Sequence, residues 1–232
     1  MKAIRLAVFA MVILCGSTHA YSSEFTLVNS GLIVGVNGLF PDIVGHGFSG
    51  VSLPFSDTHR ITRGFSIAEA AYAFDQTRFL TEFMLVGAQG PTAARVSIAE
   101  DRLYIRPDKD LRVKFDARFD FDLPAAGMAA AMSFGVYDPN NVAPDVYSVQ
   151  RTHYAVQGMG AGVFDVSGEF TIPATQTWYM LSTFEMRVDP TALTQLGTGS
   201  GYMNIQFIPE PSGLMWLGAG ALLLARRQRT AR

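Results

Sequence analysis

Leu111-Arg112-Val113-Lys114-Phe115-Asp116-Ala117-Arg118-Phe119-Asp120-Phe121-Asp122-Leu123 places an apolar side chain at every odd position and a charged one at every even position. A helix would scatter these apolar groups around its circumference, whereas a strand sends successive side chains to opposite faces and gathers them on one side. One side must therefore meet a core and the other water, which is the pattern of a half-buried antiparallel strand. Phe164-Asp165-Val166-Ser167-Gly168-Glu169-Phe170-Thr171-Ile172 repeats the alternation, and Trp178, Met180, Phe184, Met186 and Val188 mark the inner side of another strand.

Working outward, strands are expected around 31–36, 78–87, 94–105 with a break, 128–137, 146–156 and 201–207. Turn-forming pairs and runs separate them: Asn37-Gly38, Gly90-Pro91, Arg106-Pro107-Asp108, Asp138-Pro139-Asn140-Asn141 and the stretch Gly197 to Gly201. Ser66 to Phe74 fits two templates. Ser66 with Glu69 has the form of a helix capping box, while Ala68, Ala70, Tyr72 and Phe74 fit a strand beside its neighbours, and a strand is the expectation. Leu39 to Gly64, rich in Gly, Pro, Ser and Asp, reads as loops with short extended pieces. Many short strands at regular spacing predict an all-β chain, a single antiparallel sandwich or jelly roll over residues 21–208.

The two ends have another character. Lys2 and Arg5, the apolar run Leu6 to Cys15 and the slim residues Thr18 and Ala20 compose a secretory leader over residues 1–20, cut by signal peptidase after Ala20 once the translocon has taken the chain. Cys15 is the only cysteine, so the exported chain is expected to have none and to rely on its core in an oxidising compartment. At the other end Pro209, Glu210 and Pro211 hold the backbone extended and deny it helix. Gly213 to Ala225 then supplies about 13 apolar residues, or roughly 20 Å as helix against a hydrocarbon core of roughly 30 Å. Arg226, Arg227 and Arg229 follow, a stop-transfer cluster that the positive-inside rule keeps cytoplasmic.

In order, spacing and composition, residues 209–232 resemble the PEP-CTERM sorting signal of Gram-negative bacteria, the substrate of exosortase, a membrane-embedded transpeptidase-like enzyme. The resemblance implies that Pro209, Glu210 and Pro211 are the recognition motif, that Gly213 to Ala225 contacts the inner membrane transiently, and that the arginines are the stop. It further implies export to the cell envelope or extracellular matrix of a bacterium that makes exopolysaccharide and biofilm.

Composition narrows the function classes. The chain is 49% hydrophobic and 16% charged, which excludes a disordered polyelectrolyte. Residues 21–208 hold 12 basic against 19 acidic side chains, a balance of about −7 that speaks against nucleic acid as a partner. His46, His59 and His153 lack metal-binding spacing, so no metal or cofactor is expected. Gly47-Phe48-Ser49-Gly50 misplaces the second glycine of a nucleophile elbow, and Gly197, Gly199 and Gly201 lack the lysine of a phosphate loop. Asp116, Asp120 and Asp122 share their strand face with Arg112, Lys114 and Arg118, the mixed charge of a solvated surface rather than an acid and base pair. No catalytic residue emerges. The expected protein is a non-enzymatic envelope or matrix component, with a carbohydrate-binding module as the alternative and a secreted polysaccharide hydrolase behind it. Trp178 and Tyr179 are the candidate sugar contacts, with Tyr104, Tyr137, Tyr147 and Tyr154 as further stacking aromatics.

Overall fold

The computed structural model describes residues 25–36, 43–48, 54–75, 77–88, 95–140, 142–155, 160–174, 176–189 and 195–208. The leader read at 1–20 and the sorting segment read at 209–232 lie outside them. Twelve strands occupy the described chain: β1 (Phe25–Val36), β2 (Ile43–Phe48), β3 (Phe55–Arg63), β4 (Ser66–Phe74), β5 (Arg78–Ala88), β6 (Arg95–Pro107), β7 (Leu111–Asp122), β8 (Met128–Tyr137), β9 (Tyr147–Tyr154), β10 (Ala161–Ile172), β11 (Trp178–Val188) and β12 (Leu196–Ile208). They pair antiparallel into two six-stranded sheets, β2-β1-β6-β11-β8-β9 and β10-β7-β12-β5-β4-β3. The fold is all-β, two antiparallel sheets face to face, as the alternation predicts.

The stretch that opened the argument is β7, which lies between β10 and β12. Its odd positions from Leu111 to Phe121 are all buried, with Phe115 and Phe119 fully so. Each such ring contributes roughly 1.5–3 kcal/mol by leaving water. The sheets meet through aromatic contacts: Phe83 of β5 stacks on Phe184 of β11 with centroids 3.9 Å apart, and Phe115 lies 4.7 Å from Phe134 of β8. At one end the rings of Phe25 and Phe207 lie 4.5 Å apart, so the described chain enters and leaves the sandwich side by side.

Three expectations are corrected. Within 39–64, read as loops with short extended pieces, the chain forms the full strands β2 and β3; β3 folds back on β4 through Gly64 at φ 61°, and its alternation was hidden because the inward-facing positions include the polar Asp57 and His59. The break read in 94–105 is absent, and β6 runs on to Pro107 with Asp101 taking an inward position between Ala99 and Leu103. The run Gly197 to Gly201, read as a turn, is the first half of β12. A Cβ at Gly199 would overlap the Phe119 ring and meet Met186 at 3.0 Å, so these glycines make room for the core's largest side chains within a strand. Ser66 to Phe74 is the expected strand, with Ala68, Ala70, Tyr72 and Phe74 inward.

Candidate functional site

Trp178 and Tyr179 are consecutive on β11 and therefore point to opposite sides of the sheet. Trp178 is 3% exposed in the core, and its indole N–H donates to the Pro173 carbonyl at 2.9 Å. The two candidate contacts thus share no surface. Tyr179 stands on the outer face, where the register sets it opposite Tyr104 of β6 on one side and Tyr137 of β8 on the other. Three strands so deliver three tyrosines to one row. Tyr104 and Tyr179 stack with centroids 4.7 Å apart and planes 23° from parallel, and Tyr137 follows 6.4 Å from Tyr179 at 44°. The rings form a fan across the sheet.

Gly135 explains the last blade of that fan. It lies two residues before Tyr137 on the same face, and a Cβ there would overlap the Tyr137 hydroxyl and ring. The Tyr137 ring therefore lies over the bare backbone of Gly135, a close approach that any larger residue would prevent. All three rings are half-buried. In the adjacent row Leu181 stands between Arg102 and Gly135, and the Arg102 guanidinium donates to the Glu100 carboxylate. Burial tends to lower the Arg102 pKa, but the Glu100 carboxylate raises it overall. Burial also pushes the Tyr179 hydroxyl up to about 12, and it raises Tyr137, with Asp145 adding to the effect. Both phenols are neutral at physiological pH and so keep the proton that a hydrogen-bond donor needs. The row therefore combines π-faces for C–H groups with neutral hydroxyl donors and an ion pair beside them.

The remaining candidates separate. Tyr147 stacks on Phe170 at 5.0 Å and abuts Phe115, so it belongs to the core edge, while Tyr154 is 65% exposed on β9 away from the row. Arg118 forks onto Asp120 at 2.7 Å, and Asp116 accepts from Asn204, which in turn accepts from Arg78. Among the carboxylates Asp101 is set apart: it is 3% exposed between the sheets, and burial pushes it up to about 7 against the hydroxyls of Thr81 and Ser182. Ser182 donates to it at 3.1 Å. A group so enclosed meets neighbours from both sheets rather than a substrate. Sequence reading listed the tyrosines singly but not their row, since cross-strand register joins β6, β8 and β11 only in the fold; Gly135 gave no signal beyond being a glycine inside an apolar strand.

No protein-family model matches the sequence, and no curated protein matches it. Solved structures give low-scoring similarities. The carbohydrate-binding module TmCBM61, in complex with β-1,4-galactotriose, is 10% identical at a TM-score of 0.28, covering 67% of this chain and 88% of its own. A structure of the infectious bursal disease virus Gx strain is 10% identical at 0.31, covering 81% and 57%. A CBM4 module is 7% identical at 0.27, covering 53% and 87%. At these identities and scores the similarities say nothing of what this chain binds.

Proposed function

We propose that the protein is an exported, non-enzymatic component of the cell envelope or extracellular matrix that binds polysaccharide through the row Tyr104, Tyr179 and Tyr137. The observation that carries this reading is the Tyr137 ring lying over Gly135 at the end of a three-ring fan on an outer sheet face. A sugar ring has one apolar C–H face and a hydroxyl rim, so an aromatic face beside fixed donors and acceptors suits it. Delivery follows from the ends: signal peptidase acts after Ala20, and exosortase recognises Pro209, Glu210 and Pro211 while Gly213 to Ala225 lies in the inner membrane.

The test incubates the exported chain, purified in detergent, with the host's own exopolysaccharide and follows co-sedimentation and polymer length together. Binding without shortening is the expected result, and Tyr179→Ala should weaken it roughly tenfold, the size of one lost stacking contact. Shortening of the polymer that disappears on mutation of one carboxylate would replace this reading with a hydrolase.

A further inference from the structure

The opposite sheet carries a concavity. On its outer face a groove of about 480 Å³ crosses β5, β12, β7 and β10, within the size range of small-molecule sites. At a strand spacing of ~4.8 Å these four neighbours make it roughly 15 Å long, open to solvent rather than a closed chamber. It is low along β12, which presents the small residues Thr198 and Ser200, and Ala161 of β10 lies beyond β7. Its walls are Met84 and Val86 on one side and Asp120 and Asp122 on the other.

The groove is framed by apolar side chains that the core does not use. Met84 is 39% exposed, Val163 49% and Leu196 47%. Register puts Met84, Ser200, Asp120 and Val163 in one row across the sheet, so two of these three lie at opposite ends of a line running through the groove. Apolar walls, hydroxyls repeating every second residue along β12 and acceptor carboxylates are the three elements that a hydroxyl-bearing ring with a C–H face requires. The sign of the charge restricts the class. Asp122 and nearby Asp165 outweigh Arg118, which is occupied by Asp120, and residues 21–208 carry about −7 overall. A polymer of uronic acids would be repelled here, and a neutral or amine-bearing one accepted.

We infer that this groove is a second binding site for neutral or amine-bearing polysaccharide. It rests on the carbohydrate reading of the tyrosine row and adds a consequence to it. The row and the groove lie on the outer faces of opposite sheets, so a single polymer strand lying along one face does not reach the other. One domain therefore holds two strands and crosslinks them, and many displayed copies knit a matrix by multivalent contact.

The experiment uses the exported chain purified in detergent, with hydroxyethyl cellulose as the neutral polymer, glycol chitosan as the amine-bearing one and alginate as the polyuronate. Short oligosaccharides prepared from each are titrated calorimetrically, and the light scattering of each long polymer is followed as protein is added. Two sites per chain are expected for the neutral or the aminated oligosaccharide, with a rise in the scattering mass of its parent polymer and little response from alginate. Tyr179→Ala and Ser200→Trp, which fills the groove, should each leave one site and abolish the rise, while melting temperatures confirm that both variants fold. One site, lost in Tyr179→Ala and indifferent to Ser200→Trp, overturns the groove and with it the crosslinking, and leaves the tyrosine row standing. One site lost only in Ser200→Trp overturns the tyrosine row as well, absence of binding to any of the polymers overturns both readings, and preference for alginate overturns the charge assignment of the groove.

Discussion

Asp101 occupies a position that an apolar residue would fill in a plain sandwich. Its inward neighbours along β6 include Ala99, Leu103 and Ile105, all buried, and its Oδ1 has no hydrogen-bond partner. The ordinary carboxyl pKa of 3.8 is raised to about 7 in the fold, by burial first, with Glu100 adding repulsion and Thr81 and Ser182 opposing. The folded state thus holds a proton that the unfolded state has released between pH 4 and pH 7, and stability falls as pH rises through that window. Asp138 works in the opposite sense: backbone N–H groups of Ala143, Asn140 and Val142 lower its pKa to about 2, so its contribution is present above pH 4 and lost as pH falls toward 2. Asp101→Asn keeps an acceptor for Ser182 and removes the charge. It is expected to raise stability at pH 8 by an amount on the order of a few kcal/mol and to flatten the decline from pH 4 to pH 7 in thermal melts. An unchanged decline would place its origin in another group.

Among the strands, β12 bears most on how the chain can be cut. It is the last described strand and yet lies inside its sheet, laddered to β7 along one edge and to β5 along the other. It buries Met203, Ile205 and Phe207 and admits the Phe119 ring over Gly199. A chain ended at Gln195 exposes both facing edges and an opened core, and should lose its cooperative melt and its β-type circular dichroism signal altogether. A chain ended at Ile208 keeps both ladders and should melt as the complete one does. The proposed sorting motif begins at Pro209, the residue after the strand, so the proposed processing there would leave the sandwich whole.

At the scale of the whole molecule, the side-by-side entry and exit at Phe25 and Phe207 set the first and last described strands' outer ends together at one end of the sandwich. The tyrosine row lies toward that same end, since Tyr104 pairs near the start of β1, Tyr137 closes β8 and Tyr179 opens β11. If exosortase processes the protein, the intact mass of the chain from its native host should lack Arg226 to Arg232, and Glu210→Ala should restore them; a wild-type mass that retains them removes the sorting proposal. Much of this architecture was legible beforehand. Strict alternation in β7, β10 and β11 determined the strands, their inward faces and the all-β class, because a period of two is a property of the chain itself. The leader, motif and arginine cluster expected from the sequence are also local patterns, and they lie outside the described residues. The polar strand β3, the continuity of β6 through Asp101 and the strand nature of Gly197 to Gly201 were not legible, because in each the inward position holds a residue that only its partner makes sense of: His59 beside Asp57, Asp101 against Ser182 and Thr81, Gly199 beneath Phe119. The candidate surfaces belong to the same class. Tyr104, Tyr137 and Tyr179 are scattered along the sequence, as are Met84, Asp122, Ala161 and Ser200, and only the order and register of the strands bring each set onto one face. Sequence alone settled which side of β7, β10 and β11 meets the core; tertiary structure decided which strands are neighbours, since hydrogen-bonded pairing joins residues far apart in the chain and leaves no periodic trace in either one.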